Sequence, residues 1–250
     1  MKRDLVDISL IIPAHNEQES LALTVDDARR CYQRFGIDGE IVIVDDGSTD
    51  RTAQIAEQLC KVNPGIRSVR FEKKHGKTGA LLAGFQLTSG KVIVIVDADL
   101  QYDLEEMPLL YTPIFSDHYD LVNGCRVDRK DNFLRKIPSS VYNKLNQHIF
   151  HVKVKDANSG FKAMRRELLN SITPFLKKDF HRYLVSIAGY VGYRILEVPI
   201  SHRPRDAGTS KYSTPTRLAT GLLDMLRARW ILRKSRNMVK DFDLDANPKT

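Results

Sequence analysis

Three short polar clusters carry the chemistry that can be read from this sequence: Pro13-Ala14-His15-Asn16-Glu17, Asp45-Asp46-Gly47-Ser48-Thr49-Asp50 and Asp97-Ala98-Asp99-Leu100-Gln101. Asp97 and Asp99 are the sharpest pair. They leave a strongly apolar run, Val92 to Val96, and flank one small residue. Hard oxygen ligands of this kind suit Mg2+ or Mn2+. Such an ion would bridge a diphosphate and stabilise it as a leaving group. The bland alternative is a polar turn, since Asp commonly ends strands and opens turns. Asp45, the first polar residue after its own apolar run, is a candidate nucleotide contact, with Asp46 beside it in the substrate-binding set. The same stretch also reads as a turn leading to a helix N-cap at Ser48 or Thr49. Gly76-Lys77-Thr78-Gly79 lacks the earlier glycine that a P-loop requires. Lys77 and nearby backbone N–H groups can still approach a phosphate at the start of a helix.

These clusters need elements that bring them together. Ser9–Ile12, stopped by Pro13, Ile41–Val44 and Val92–Val96 read as strands, with a further one near Arg67–Phe71. Helical patterns fall at about Ser20–Phe35, Thr49–Cys60 and Gly79–Leu87. Strands separated by helices imply βαβ units and a mainly parallel sheet. Strands apolar at every position imply helices on both faces. In such a sheet ligands bind beyond the carboxyl ends of the strands, so the three clusters would gather at one edge. Closely packed carboxylates repel unless a cation or hydrogen-bond donors intervene. In the second half Leu121–Asn123, Phe161–Met164 and Arg194–Val198 are strand candidates, and Phe133–Phe150 a helix.

The 250 residues, 42% of them hydrophobic, suit one α/β domain with a short extension. We place the domain at residues 1–212 and a basic amphipathic helix with a polar tail at 213–250. The net charge of +8 leaves nucleic acid, anionic membrane and phosphorylated substrates open. No nucleic-acid module or aromatic stacking motif accompanies that charge. Cys31, Cys60 and Cys125 are far apart and odd in number, as in a reduced cytosolic protein. No signal peptide and no run of about 20 apolar residues is evident. In the tail Leu218, Leu222, Met225, Leu226 and Trp230 recur at helical spacing among Arg217, Arg227, Arg229, Arg233, Lys234 and Arg236. Such a helix lies in a membrane interface or packs on a partner or its own domain. We therefore expect peripheral attachment at a cytoplasmic membrane face, or a separate membrane-anchored subunit. His148 and His151 read as helix-end packing, and His181 as a residue facing the acceptor.

The clusters, in this order, resemble the nucleotide-sugar glycosyltransferases of family 2, with the GT-A fold. Gly124-Cys125-Arg126 looks like the family's G-x-R, and Asp156-x-x-Ser159-Gly160-Phe161-Lys162 like its D-x-x-[SC]-G-F-[KR]. Glu197-Val198-Pro199, His202-Arg203-Pro204-Arg205 and Gly208-x-Ser210-Lys211-Tyr212 make the set similar to the dolichol-phosphate mannose synthase group and its bacterial polyprenyl-phosphate relatives. The resemblance spans about Ser9 to Tyr212. It implies that Pro13, Asn16 and Glu17, with Asp45, bind the nucleotide, and that Asp97, Asp99 and Gln101 hold the metal. It also implies that Arg126, Arg135, Arg203 or Arg205, Ser210 and Lys211 handle phosphate. His15 departs from the usual Tyr or Phe, and Ser159 from the usual Cys. The Q-x-x-R-W motif of processive synthases is absent: Leu226-Arg227-Ala228-Arg229-Trp230 lacks its Gln.

A phosphate monoester acceptor carries about −1.5 to −2 charge near neutral pH and is already a nucleophile. Positioning and charge neutralisation then matter more than a strong base. The expected reaction is inverting transfer of mannose from GDP-mannose to a polyprenyl or dolichyl phosphate, with Asp99, Arg126 and Lys211 central to catalysis. A UDP-sugar donor (glucose or N-acetylglucosamine), a saccharide or protein hydroxyl acceptor, and a non-catalytic nucleotide-sugar-binding scaffold subunit are the competing readings.

Overall fold

The computed structural model describes residues 6–127, 147–150, 152–176, 180–203, 225–230 and 233. Arg135, Arg205, Ser210, Lys211 and His151 lie outside them, as do most of the expected helix before Phe150 and the expected boundary at residue 212.

The first half alternates as its apolar runs require: β1 (Ile8–Ala14), α1 (Leu21–Phe35), β2 (Gly39–Asp45), α2 (Thr52–Val62), β3 (Ile66–Arg70), α3 (Lys77–Leu87) and β4 (Val92–Ile95). Then come α4 (Met107–Phe115), β5 (Leu121–Arg126), β6 (Lys162–Arg165), α5 (Arg166–Ile172), α6 (Leu184–Val191) and β7 (Ile195–Ile200). The seven strands form one sheet in the order β3-β2-β1-β4-β6-β5-β7. All pairings are parallel except those of β6, which runs antiparallel to β4 and β5 on either side.

Both faces of the sheet are covered. Leu10, Ile12, Ile41 and Ile43 point into one core with residues of α1, α2 and α4. Ile11, Val42, Val44, Ile93 and Ile95 point into the other, with residues of α3, α5 and α6. This alternation explains why the central strands are apolar at every position. Pro13 does not stop β1, which continues through it to Ala14. Pairing with β4 ends at Ile11, so the missing N–H falls where that ladder has already finished. The N-terminus of α2 is served by Asp50, not Ser48 or Thr49: its Oδ1 accepts from Thr52 N at 2.9 Å. Residues 225–230 are helical. They bury Met225 and Ala228 in the second core and set the Arg229 guanidinium over the Tyr190 ring at 4.5 Å. This stretch therefore packs on its own domain. No helix among the described residues is long and apolar enough to cross a membrane.

Candidate functional site

The carboxyl ends of β1, β2 and β4 share one edge, and the turns that follow them are laced together. Asn16, in the left-handed region at φ 56°, accepts from Thr49 N through Oδ1 at 2.9 Å. Its own N–H donates to Ser48 Oγ at 2.9 Å. Asn is among the few side chains that tolerate this backbone. Glu17 N donates to Thr52 Oγ1 at 2.8 Å. The first two clusters thus form one double turn beside Pro13.

Asp45 and Asp46 divide their work in a way the sequence did not disclose. Asp45 is 1% exposed; its Oδ1 accepts from Ser48 N at 3.0 Å, and Arg70 Nε stands 3.4 Å from Oδ2. Asp46 accepts from His75 N at 2.6 Å and from Gly76 N at 2.9 Å. Its carboxylate fixes the start of α3. Gly47 permits this closure: its φ is +67°, and a Cβ there would lie 2.7 Å from the Lys73 backbone.

That closure aims Lys77, the first residue of α3, at the third cluster. Lys77 Nζ makes an ion pair with Asp97 Oδ1. The other oxygen, Oδ2, lies against Gly160, where an added Cβ would come within 2.2 Å of it. Only glycine fits between the carboxylate and the loop. Gly160 N donates to the Tyr102 hydroxyl at 2.7 Å, pinning that loop to the end of β4. Asp99 Oδ1 accepts from Gln101 N at 3.3 Å. Between them Leu100 has φ 59°, a strained conformation for a large side chain. The turn therefore holds Asp99 and Gln101 on a backbone that needs outside support. Gln101 O accepts from Arg203 N at 2.8 Å, and the Arg203 guanidinium pairs with Asp103 at 2.8 Å. Arg203 is thus brought to the turn that carries the candidate metal ligands.

Arg126, at the end of β5, is held by Asp156 through two hydrogen bonds, Nε to Oδ2 at 2.6 Å and Nη2 to Oδ1 at 2.8 Å. Asp156 is itself positioned by Glu197 on β7. Glu197 Oε1 accepts from Asp156 N at 2.9 Å and from Asn123 Nδ2 at 3.1 Å, and Oε2 accepts from Lys155 N at 2.8 Å. Neither Asp156 nor Glu197 was among the candidate site residues, although both sit in quoted motifs. Tyr102 gave no signal beyond adjacency to Gln101.

Charge at this edge is dense. Burial works against the Lys77 ammonium, but the charge and hydrogen bond of Asp97 outweigh it and raise its pKa. Burial likewise disfavours the Asp97 carboxylate, and Lys77 more than compensates, so its pKa falls. Lys162, 5% exposed at the start of β6, has only Ala157 O at 3.3 Å as a hydrogen-bond acceptor among the bonds described. Burial, reinforced by the charge of Lys77, brings it down to about 7. His181 is bracketed by Thr78: Nδ1 lies 2.9 Å from the hydroxyl, and His181 N donates to that hydroxyl at 3.2 Å. Burial, then Lys77, drives its pKa well below the usual value, leaving the ring neutral at physiological pH.

The donor chemistry at Asp97, Asp99 and Gln101 fits a hard divalent cation. Among the described residues no group of three His, Cys, Asp or Glu side chains could enclose one.

Comparisons with known proteins agree with this geometry. The family profile described as glycosyl transferase family 2 matches residues 9–173. Undecaprenyl-phosphate 4-deoxy-4-formamido-L-arabinose transferase of Pectobacterium atrosepticum is 31% identical over 211 residues, covering 84% of this chain and 64% of that protein. Dodecaprenyl-phosphate galacturonate synthase of Rhizobium johnstonii is 32% identical over 232 residues, covering 91% and 68%. The chain thus spans less than two thirds of the length of the first of these relatives. Among solved structures, glucosyl-3-phosphoglycerate synthase from Mycobacterium tuberculosis, in complex with Mn2+, uridine-diphosphate-glucose and phosphoglyceric acid, superposes with a TM-score of 0.68 at 22% identity, covering 90% of this chain and 79% of that one. The same enzyme with Mn2+ and uridine-diphosphate-glucose gives 0.66 at 20% identity, covering 90% and 79%. At that identity the likeness establishes the fold, GT-A.

Proposed function

The chain belongs to glycosyl transferase family 2, and on that premise we propose that it transfers a sugar from a nucleotide-sugar donor to a polyprenyl phosphate. The observation that carries this reading is the packing of the Asp156–Lys162 segment against the Asp97 turn, marked by Gly160 touching the Asp97 carboxylate. It sets the candidate diphosphate site beside a guanidinium, Arg126, that its carboxylate partner holds at the end of β5. The names of the two relatives support the acceptor class. Those relatives are named for formamido-arabinose and galacturonate, so mannose is one arm of the test and not the conclusion.

The lipid phosphate oxygen attacks the anomeric carbon and forms the new C–O bond. The bond to the nucleoside diphosphate breaks, and its electron pair leaves on the diphosphate oxygen. A single displacement of this kind inverts the anomeric centre. Bound at Asp97, Asp99 and Gln101, Mg2+ or Mn2+ would supply Lewis-acid stabilisation of the leaving group, worth several kcal/mol. Pro13, Asn16, Glu17 and Asp45 hold the base and ribose, and Lys77 the diphosphate. Arg126 and Arg203, with Arg135, Arg205, Ser210 and Lys211, steady the acceptor phosphate, because guanidinium groups present paired donors to it. His181, neutral and tied to Thr78, orients the segment before α6.

The membrane reading rests on the helical stretch 225–230. Its inner side is packed, while Leu226 and Trp230 remain 51% and 64% exposed beside exposed Arg227 and Arg233. Apolar and basic side chains on one outward face suit an anionic lipid surface. Flotation with anionic vesicles is expected to fall severalfold in Trp230→Ala, and equal flotation would remove this part of the proposal.

The experiment for the reaction is a radiolabel transfer assay with GDP-mannose, UDP-glucose and UDP-N-acetylglucosamine, each with a short polyprenyl phosphate and Mg2+ or Mn2+. Label entering the organic phase from one donor establishes acceptor class and donor together. Metal-dependent nucleotide binding without transfer from any donor would favour the scaffold reading.

A further inference from the structure

We propose that Lys77 is an exchangeable counterion: it neutralises Asp97 while no metal is bound, and passes to the donor's diphosphate when a divalent cation takes that carboxylate. The inference rests on the reading of Asp97 as a metal carboxylate and goes beyond it.

Three features of the site lead to this exchange. The first is the closure of Asp97 on both sides. Oδ2 faces the Gly160 backbone so closely that a methyl group would overlap it. Oδ1 carries the Lys77 ammonium. A cation approaching Asp97 meets the side that Lys77 already holds, and two cations on one oxygen repel.

The second is the way Lys77 is mounted. Its backbone is fixed on both sides, by Asp46 on His75 N and Gly76 N, and by His181 against Thr78. The long stem and ammonium can therefore leave Asp97 without disturbing α3. Lysine, a point charge with freely rotating donors, suits such a transfer better than the planar fork of arginine.

The third is the charge of the donor. A diphosphate bound beside Asp97 and Asp99 is the anion that can receive the displaced ammonium. Metal and donor binding become coupled through one side chain, and the coupling is reciprocal by thermodynamic necessity. Lys162 and His181 also act on the Asp97 charge.

The test measures Mn2+ binding to the whole chain by electron paramagnetic resonance, without nucleotide and then with GDP or UDP. Removing the competing charge in Lys77→Met is expected to tighten Mn2+ alone about tenfold, and to cut the further gain in Mn2+ affinity brought by GDP or UDP about tenfold. Lys77→Gln is the second charge-free variant, and Lys77→Arg, which keeps the charge, is expected to leave the affinity for Mn2+ alone near that of the wild type. Mn2+ affinity in both charge-free variants equal to or below the wild type, with Asp97→Asn still weakening it, overturns the exchange and leaves Asp97 as a ligand. Wild-type Mn2+ affinity in Asp97→Asn overturns the underlying metal reading instead. Circular dichroism melts accompany each variant.

Discussion

The two ends of the sheet treat carboxylates in opposite ways. At the amino-terminal end Glu40, paired in register with Ser9, accepts from Ser9 Oγ at 2.6 Å and Ser89 Oγ at 2.9 Å, and further from Ser89 N and Arg67. Ser9 Oγ in turn accepts from Gly90 N at 2.7 Å. Every donor belongs to the fold, so the cluster joins β1, β2, β3 and the approach to β4 into a closed polar knot. At the carboxyl end Asp97 has one oxygen against a glycine and the other on a lysine stem. A carboxylate saturated by fixed donors serves stability. One neutralised by a mobile cation is available for ligands. The same residue type thus fulfils two roles, decided by whether its partners can move.

The largest effect should come from the ligand end. Asp99→Ala is expected to lower transfer at least about 1,000-fold, equivalent to about 4 kcal/mol of transition-state stabilisation, with an unchanged melting temperature. A large loss of stability in that variant would erase the contrast between the two ends. Next, Glu40→Ala strands several buried donors and should destabilise the fold by about 2–4 kcal/mol, read by urea denaturation, while activity per folded molecule stays near wild type. Asp156→Asn weakens the two-point hold on Arg126 and should raise KM for the acceptor about tenfold, with a smaller change in kcat; an unaltered KM would remove Arg126 from acceptor handling. The smallest effect is in pH. Burial disfavours the Glu40 carboxylate, but Ser9, Ser89 and Arg67 outweigh it, so its folded pKa lies below the ordinary 4.5. Its contribution to stability is therefore complete above about pH 4.5 and is lost as the pH falls below that value. Wild type and Glu40→Gln should converge in stability between neutral pH and about pH 3; a constant gap would show that the carboxylate charge contributes nothing.

The first half of the fold was legible because each strand is a short, wholly apolar run ended by charged turn residues. Val92–Val96 running into Asp97 is the plainest case. Leu121–Asn123, Phe161–Met164 and Arg194–Val198 also proved to be strands, within a residue or three of the structural ends. α4 escaped because Pro108 and Pro113 fall within it; the first sits where a helix start tolerates it, the second inside. α6, apolar along most of its length, gives no amphipathic period to read. The antiparallel insertion of β6 was illegible for another reason: a strand's sequence records its burial, not its neighbour's direction. At the site, Asp97, Asp99, Gln101, Arg126 and Arg203 are expected from their motifs. The engagement of Lys77 with Asp97 and of Asp46 with the α3 loop depends on contacts between segments 20 and 29–30 residues apart, which no local pattern encodes.

The position of β6 has a consequence for how the protein is made. It lies between β4 and β5, yet leaves the ribosome after both. Until residues 162–165 emerge, β4 presents an open edge of Val92, Ile93, Val94 and Ile95, and β5 has no place in the sheet. Synthesis at about 5–20 residues per second leaves that edge waiting for several seconds. The nascent chain is therefore most exposed to mispairing in this interval, and a chaperone that shields apolar strand edges would have its main task there.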